Sequence, residues 1–238
     1  MREPIIRIQE KLAQLKHLDK SLKIFAAFRH RYQANIPLQE TYLASIERET
    51  GTNLPTGYRS FLTKIGNGGV GPYYGIYPFE TSLDMWHEWI GNYRYLSQDF
   101  PLKDDCEFSD ECNSPSSFGQ HRYMLEHDSH YQECWNTVIE KYRDVTWFRG
   151  TLSLCEYGCG DSFFIVVQGE APDTVWVRSP KTGIYSLKID FLGWYEKWLD
   201  ASLERVQISN FRPTNKSYSF LEYGNNPRYG SAPWPDSG

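Results

Sequence analysis

The sequence predicts a mixed fold of helices and antiparallel strands, and three observations predict it. Apolar residues recur at helical spacing through about the first 95 positions, short β-rich runs crowd the stretch 145–189, and one more helical stripe follows them. The strand runs are punctuated by Gly150, Gly158, Gly160, Gly169, Pro172, Pro180 and Gly183, as meandering antiparallel strands require.

The N-terminal stripe is Ile5, Ile8, Leu12, Leu15, Leu18, Leu22, Phe25 and Phe28, with Pro4 near its start. It reads as one long amphipathic helix over about residues 1–33, facing a core. A second helix is expected from about Leu38 to Glu49, with Gly51 just past its end. A third opens at Pro55, whose missing N–H would have no partner in a first turn. Its Tyr58, Phe61, Leu62 and Ile65 fall at i, i+3, i+4 and i+7. Gly66 is expected to end it in the left-handed conformation, and Asn67-Gly68-Gly69 to reverse the chain into a strand at Tyr73–Tyr77. Met85, Trp86, Trp89, Ile90 and Tyr93 then return to helical spacing.

Residues 99–120 are polar and acidic and read as a loop or insertion, and His121–Arg143 as a weaker helical stretch. Strands are expected at Val145–Phe148, Thr151–Leu154, Ser162–Gln168, Thr174–Arg178 and Ile184–Ile189. Asp190 suits the N-cap of a last helix, whose Phe191, Trp194, Tyr195, Trp198 and Leu199 form a buried aromatic stripe. Residues 206–238 lose periodicity. Sixteen of these 33 are Pro, Gly, Asn or Ser, yet six aromatic rings are scattered among them, so this irregular tail is expected to touch the domain in places. The organisation expected is a single domain over 1–205, with an acidic insertion over about 99–133, and then the tail.

The chain of 238 residues is 40% hydrophobic and 16% aromatic, enough for a sizeable core. Its uninterrupted apolar runs, such as Phe163–Val167, are far short of the roughly 20 residues of a membrane span. Charges interrupt residues 1–12, unlike a secretory leader. Five cysteines fit reduced thiols, and together these features give a cytoplasmic protein. Net charge is −5, unevenly spread: residues 1–31 hold eight bases against three acids, and the remainder balances at −10. Between Asp99 and Glu133 stand nine acids against Lys103 and Arg122. An acidic body disfavours nucleic acid as a direct ligand and allows a basic protein partner. Charge that simply keeps a loop solvated is the alternative.

No catalytic constellation stands out. Gly66-x-Gly68-x-x-Gly71 has the spacing of a dinucleotide fingerprint in the wrong context, after a helix and before a strand, so a turn accounts for it better. Cys155 and Cys159 could supply two thiolates to a metal, but a structural zinc site wants four ligands, typically in two close pairs. No nucleophile elbow and no His-Glu-x-x-His is present. The reading is of a protein without catalytic, cofactor-binding or metal-binding residues.

Four stretches together resemble the SUKH superfamily, the domain shared by bacterial toxin-immunity proteins and fungal cell-wall-assembly regulators of the Smi–Knr type. They are Phe28–Tyr32 leading to Pro37-Leu38; Ile46-Glu47 through Leu54, Pro55, Tyr58, Arg59, Phe61 and Leu62 to Gly66, Asn67, Gly68, Gly69, Gly71 and Gly75; Gly158–Gly160 with Phe163–Val167, Gly169, Val175 and Trp176; and Phe191 with Trp194, Tyr195, Trp198 and Leu199. They span about residues 28–203.

The resemblance implies an α+β fold, helices covering one face of a largely antiparallel sheet, and binding rather than catalysis. It implies that the shared residues, Gly160, Trp176, Trp194 and Trp198 among them, maintain the scaffold. On this reading the chain is an immunity protein that occludes the active site of a cognate, basic toxin domain, a nuclease or deaminase. The partner-facing candidates are Asp104, Asp105, Glu107, Asp110 and Glu111, with Trp86 and Trp89 as aromatic anchors if exposed. An intracellular adaptor of the cell-wall-regulator kind, binding several partners, is the alternative.

Overall fold

The structure, a computed structural model, describes residues 3–108, 118–158, 160–180 and 183–208. In chain order these form α1 (Pro4–Leu18), α2 (Ala27–His30), α3 (Glu40–Thr50), α4 (Thr56–Lys64), α5 (Phe79–Ile90), β1 (Cys106–Glu107), α6 (Phe118–His127), α7 (Ser129–Tyr142), β2 (Thr151–Gly158), β3 (Asp161–Val166), β4 (Thr174–Ser179), β5 (Gly183–Asp190) and α8 (Phe191–Gln207). The strands make one antiparallel sheet in the order β1-β5-β4-β3-β2. The α+β architecture expected from the sequence is the one found.

Alternation along the strands divides the core in two. Leu152 and Leu154 of β2, Phe163 and Ile165 of β3, Val175 and Val177 of β4 and Tyr185 of β5 join the larger cluster, with Ile8 and Leu15 of α1, Tyr58, Phe61 and Leu62 of α4, Phe79 of α5 and the stripe of α8. Their neighbours Phe164, Val166, Trp176 and Ile184 join a second cluster with Phe100, Phe108 and Val138 of α7. Helices therefore form the main layer on one face, while the segment around Phe100–Phe108 and α7 cover the other. Burial on both faces explains why Phe163–Val167 is continuously apolar instead of alternating.

Asp190 caps α8 by accepting the Gly193 N–H at 2.6 Å. Phe191, Trp194, Tyr195, Trp198 and Leu199 are all buried below it. Each ring so buried is worth roughly 1.5–3 kcal/mol. Gly51 ends α3 in the left-handed conformation, as its position suggested.

Several expectations need correction. The N-terminal stripe is not one helix over 1–33: α1 stops at Leu18, because Asp19 turns its carboxylate onto the N–H groups of Lys23 and Ile24 and the Tyr32 hydroxyl. Local Asp hydrogen bonds of this kind compete with helix propagation. Leu18, at the end of α1, and Phe28, beyond the break, are exposed. Tyr73–Tyr77 is not a strand; Gly69 and Ile76 make a single antiparallel bridge within a folded loop. Val145–Phe148 forms a short 3-10 turn capped by Asp144. Gly66 does not adopt a positive φ, so it does not end α4 in the left-handed conformation. The stretch 99–120 contains β1 and the start of α6, with residues 109–117 outside those described. The last helix continues to Gln207, and the irregular tail beyond 208 lies outside the described residues.

α1 is clasped to α8 by charge. Arg7 grips Glu196 with both ends of its fork, at 2.8 and 2.7 Å, and Lys11 bonds Glu196 and Asp200. The Arg7 hydrogen bond, seconded by Lys11, pulls the Glu196 carboxyl down to about 2. Asp173, between Asp190 and the N-terminal ends of α4 and α8, is pushed the other way to about 6, by burial first and Asp190 second. The two carboxylates should therefore titrate with opposite signs. The contribution of Glu196 is present above 4.5, its ordinary value, and is lost as pH falls from there towards 2. That of Asp173 is full below 3.8 and is lost as pH rises through 6. Thermal unfolding across pH 2–7 should show Glu196→Gln less stable than the parent at neutral pH, with the gap closing in acid. Asp173→Asn should gain on the parent between about pH 4 and 6. A parallel shift of both variants at every pH would contradict the assignment.

Candidate interaction surfaces

Two places combine chemistry with exposure, and a glycine-rich loop positions one of them. α4 begins just after Pro55, whose carbonyl accepts the Arg59 N–H. Glu47 of α3 holds this entry by accepting the Leu54 N–H at 2.8 Å and pairing with Arg59. Tyr58, Phe61 and Leu62 then point into the core. Past the helix, Gly66 packs so tightly on the neighbouring chain that a Cβ would lie 2.4 Å from the Asn35 carbonyl oxygen. Its lack of a side chain is required by that approach, not by φ.

Asn67 does more than reverse the chain. Its Oδ1 accepts the Phe79 N–H at 2.6 Å and its Nδ2 donates to Glu80 at 2.7 Å. It thus caps α5 from twelve residues away, in place of Pro78, which has no side-chain acceptor. The paired bonds between Gly69 and Ile76 close the loop. Tyr195 of α8 pins it by donating from its hydroxyl to the Val70 carbonyl at 2.9 Å.

This loop, α2 and the outer end of β2 enclose a cleft of about 680 Å³. Arg29, His30, Gln33 and Asn35 form one side, Tyr74–Pro78 the other, and Glu156 and Gly158 of β2 the base. The Arg29 guanidinium lies 4.8 Å from the centre of the Tyr74 ring. His30 is only 9% exposed. Its Nδ1 accepts the Tyr32 N–H, and its Nε2 has no well-formed hydrogen bond although the Gly71 carbonyl is nearby. Burial holds its imidazole at about 4, so it is neutral at physiological pH.

The acidic candidates lie at the opposite edge of the sheet. Asp104, Asp105 and Glu107 are exposed on and before β1, the two-residue edge strand paired to β5. Asp105 has a structural task as well, accepting the Ser186 N–H at 2.8 Å on the flank of β5. Asp110 and Glu111 lie outside the described residues, as does the side chain of Trp89. Trp86 is buried, stacked on Phe148 at 3.8 Å, and is therefore removed from the surface as a partner anchor. Gly160 is exposed in the β2–β3 turn at φ 88°, and Trp176, Trp194 and Trp198 are buried. Sequence reasoning missed Arg29, His30, Tyr74 and Glu156 as members of one site. Arg29 and His30 stood in a stretch resembling the family and Tyr74 in an expected strand, but their proximity to one another and to Glu156 arises from the loop.

Cys155 is free and buried in β2, and Cys106 is free and half-buried; burial pushes both thiols up. Cys134 is disulfide-bonded, which overturns the expectation of five reduced thiols, since pairing depends on spatial neighbours that spacing does not reveal. Cys112 and Cys159 lie outside the described residues. Among the described residues no group of three or more His, Cys, Asp or Glu is placed to hold a metal ion, and no helix is long and apolar enough to cross a membrane.

A family model described as the SMI1/KNR4 family (SUKH-1) matches residues 37–190. That span runs from just before α3 to the end of β5, leaving α1, α2 and α8 outside. No curated protein and no solved structure matches the chain.

Proposed function

Because the chain belongs to the SMI1/KNR4 family (SUKH-1), we propose that it is an immunity protein that binds a cognate toxin domain and blocks its active site. SUKH domains serve generally as protein–protein interaction modules, and their members are generally non-enzymatic. The observation that supports the finer reading is the acidic rim of the sheet, where Asp104 and Asp105 stand exposed just before a two-residue edge strand and Glu107 stands exposed on it. Charge on so short an edge also deters pairing between copies of the sheet. A nuclease toxin must present a basic groove to phosphates. An acidic rim would speed association with it and orient the complex. Tight inhibition would need an interface of about 1,600 Å², so the rim would supply steering at one border of a larger contact.

Co-expression with the neighbouring gene, where that gene encodes a large protein ending in a small toxic domain, tests the reading. Rescue of growth and a one-to-one complex are expected. A changing set of signalling proteins on pull-down would favour the adaptor role instead. To neutralise the acidic run of the sequence, Asp104→Asn, Glu107→Gln, Asp110→Asn and Glu111→Gln should be combined, sparing Asp105 because its carboxylate holds β5. Association should slow about tenfold at low salt and lose most of its salt dependence, with thermal stability unchanged. Unaltered kinetics would end the electrostatic part of the proposal.

A further inference from the structure

The cleft beside β2 has a chemistry of its own, at the far edge of the sheet from the acidic rim. β2 is the last strand, and its outer side receives the Tyr77 N–H at the Leu154 carbonyl, 2.8 Å away. Beyond Leu154 it continues through Cys155–Gly158, and among the described residues no other segment makes backbone hydrogen bonds to that side. Of this stretch, Glu156 and Gly158 lie at the base of the 680 Å³ cleft, a volume within the usual range for ligand sites.

Two charges of opposite sign line this space, Arg29 on α2 and Glu156 on β2, both exposed. Among the described residues neither makes an ion pair, and Arg29 is held against the Tyr74 ring. His30 adds a nearly buried Nε2 without a well-formed hydrogen bond. The chain neighbours of the cleft residues Arg29 and Asn35 are the apolar Phe28 and Ile36, 62% and 87% exposed. A strand edge, one cation, one anion and flanking apolar side chains match one class of ligand. Nucleic acid is disfavoured by Glu156 and by the net charge of −5.

We infer that this cleft is a docking site for an extended peptide segment of a protein partner, which adds to β2 along Glu156–Gly158. Main-chain hydrogen bonds to a sheet edge provide affinity in such complexes, and side-chain pockets provide selectivity. An acidic residue of the segment would meet Arg29 and a basic one Glu156. Register shifts between Ser153 and Cys155 and again between Glu156 and Gly158 bend the edge. They limit pairing to about four residues and protect the strand from indefinite sheet extension.

The site does not depend on the toxin reading, and its failure would leave that reading untouched. A display library of random eight-residue peptides should be selected against the full chain, and the strongest binder synthesised. A second copy should be N-methylated at alternate backbone nitrogens. On titration, amide shift changes should centre on Glu156, Gly158, Tyr77 and Arg29. Affinity should fall at least about tenfold with Arg29→Glu, with Glu156→Lys and with the N-methylated copy, in variants whose melting temperatures match the parent. Shifts centred elsewhere, indifference to charge reversal or N-methylation, or no peptide binding tighter than about millimolar would each overturn the inference.

Discussion

Gly68→Ala is expected to remove about 3–5 kcal/mol of stability, a large share of the about 5–15 kcal/mol that holds a typical domain. Gly68 sits at φ 72°, which alone costs a residue with a side chain about 1–2 kcal/mol. The larger penalty is steric. A Cβ there would lie 2.5 Å from the Tyr77 carbonyl oxygen and 2.6 Å from that of Ile76, both main chain and unable to rotate away. Moving them would pull on the Gly69–Ile76 bonds, the Asn35 N–H bonded to the Gly68 carbonyl, and the cap that Asn67 places on α5. Gly91→Ala is the control. Gly91 has φ 82° at the end of α5, with nothing within 4 Å of the Cβ position, so it should cost only the conformational penalty of about 1–2 kcal/mol. Urea unfolding of both variants would measure the difference, and equal losses would refute the steric account.

Arg178→Ala is expected to cost about 3–4 kcal/mol, and Arg178→Met less than about 1.5 kcal/mol. Arg178 lies on β4, 4% exposed, with its guanidinium 4.2 Å from the ring centre of Phe148, 4.6 Å from Tyr142 and 4.9 Å from Trp86. Its Nε has no hydrogen-bond partner, and among the described residues no carboxylate pairs with it. Burial lowers its pKa despite the opposing influence of Tyr142. Two effects compete. Desolvated cation–π contacts contribute about 2 kcal/mol each, while removing a cation from water costs several kcal/mol. The side chain's volume between three rings therefore matters more than its charge. Methionine retains most of that volume and places sulfur against aromatic edges; alanine leaves a cavity. For a chain of this length about 1 kcal/mol moves the melting temperature about 2–4 °C, so the two variants should separate clearly in a thermal scan. Methionine proving as damaging as alanine would show that the cation itself stabilises the site.

These two residues illustrate how unevenly the fold was written in the chain. The stripes of α4 and α8 were legible because burial repeats at the helical period, and the strands β2 to β5 because runs of β-forming residues stand between glycines and prolines. Asp190 and Gly51 were legible because capping is a local event. The break at Asp19 was missed because its carboxylate works with Tyr32, thirteen residues on. Asn67 was read as a turn former, while its side chain acts at Phe79. Val145–Phe148 carries β-forming residues, yet Asp144 bonds the Thr146 N–H and winds them into a turn. In each case a specific side-chain hydrogen bond outweighed propensity.

The candidate surfaces divide the same way. The concentration of acids between 99 and 133 needed no structure to be seen, but composition could not show that Asp105 supports β5 or that Trp86 is enclosed. The cleft of Arg29, His30, Tyr74 and Glu156 gathers residues up to 127 positions apart, and no pattern of spacing joins them.

By itself the sequence determined which faces are apolar, where the chain turns, the family motif between Leu54 and Gly75, and the excess of acid in the body. Those properties follow from side-chain chemistry repeated over a few residues. Only the tertiary structure decided which glycines must lack a Cβ, where an arginine is enclosed by rings, and which edge of the sheet stays open. Each of those depends on atoms brought together by folding of distant segments, and on the space left between them.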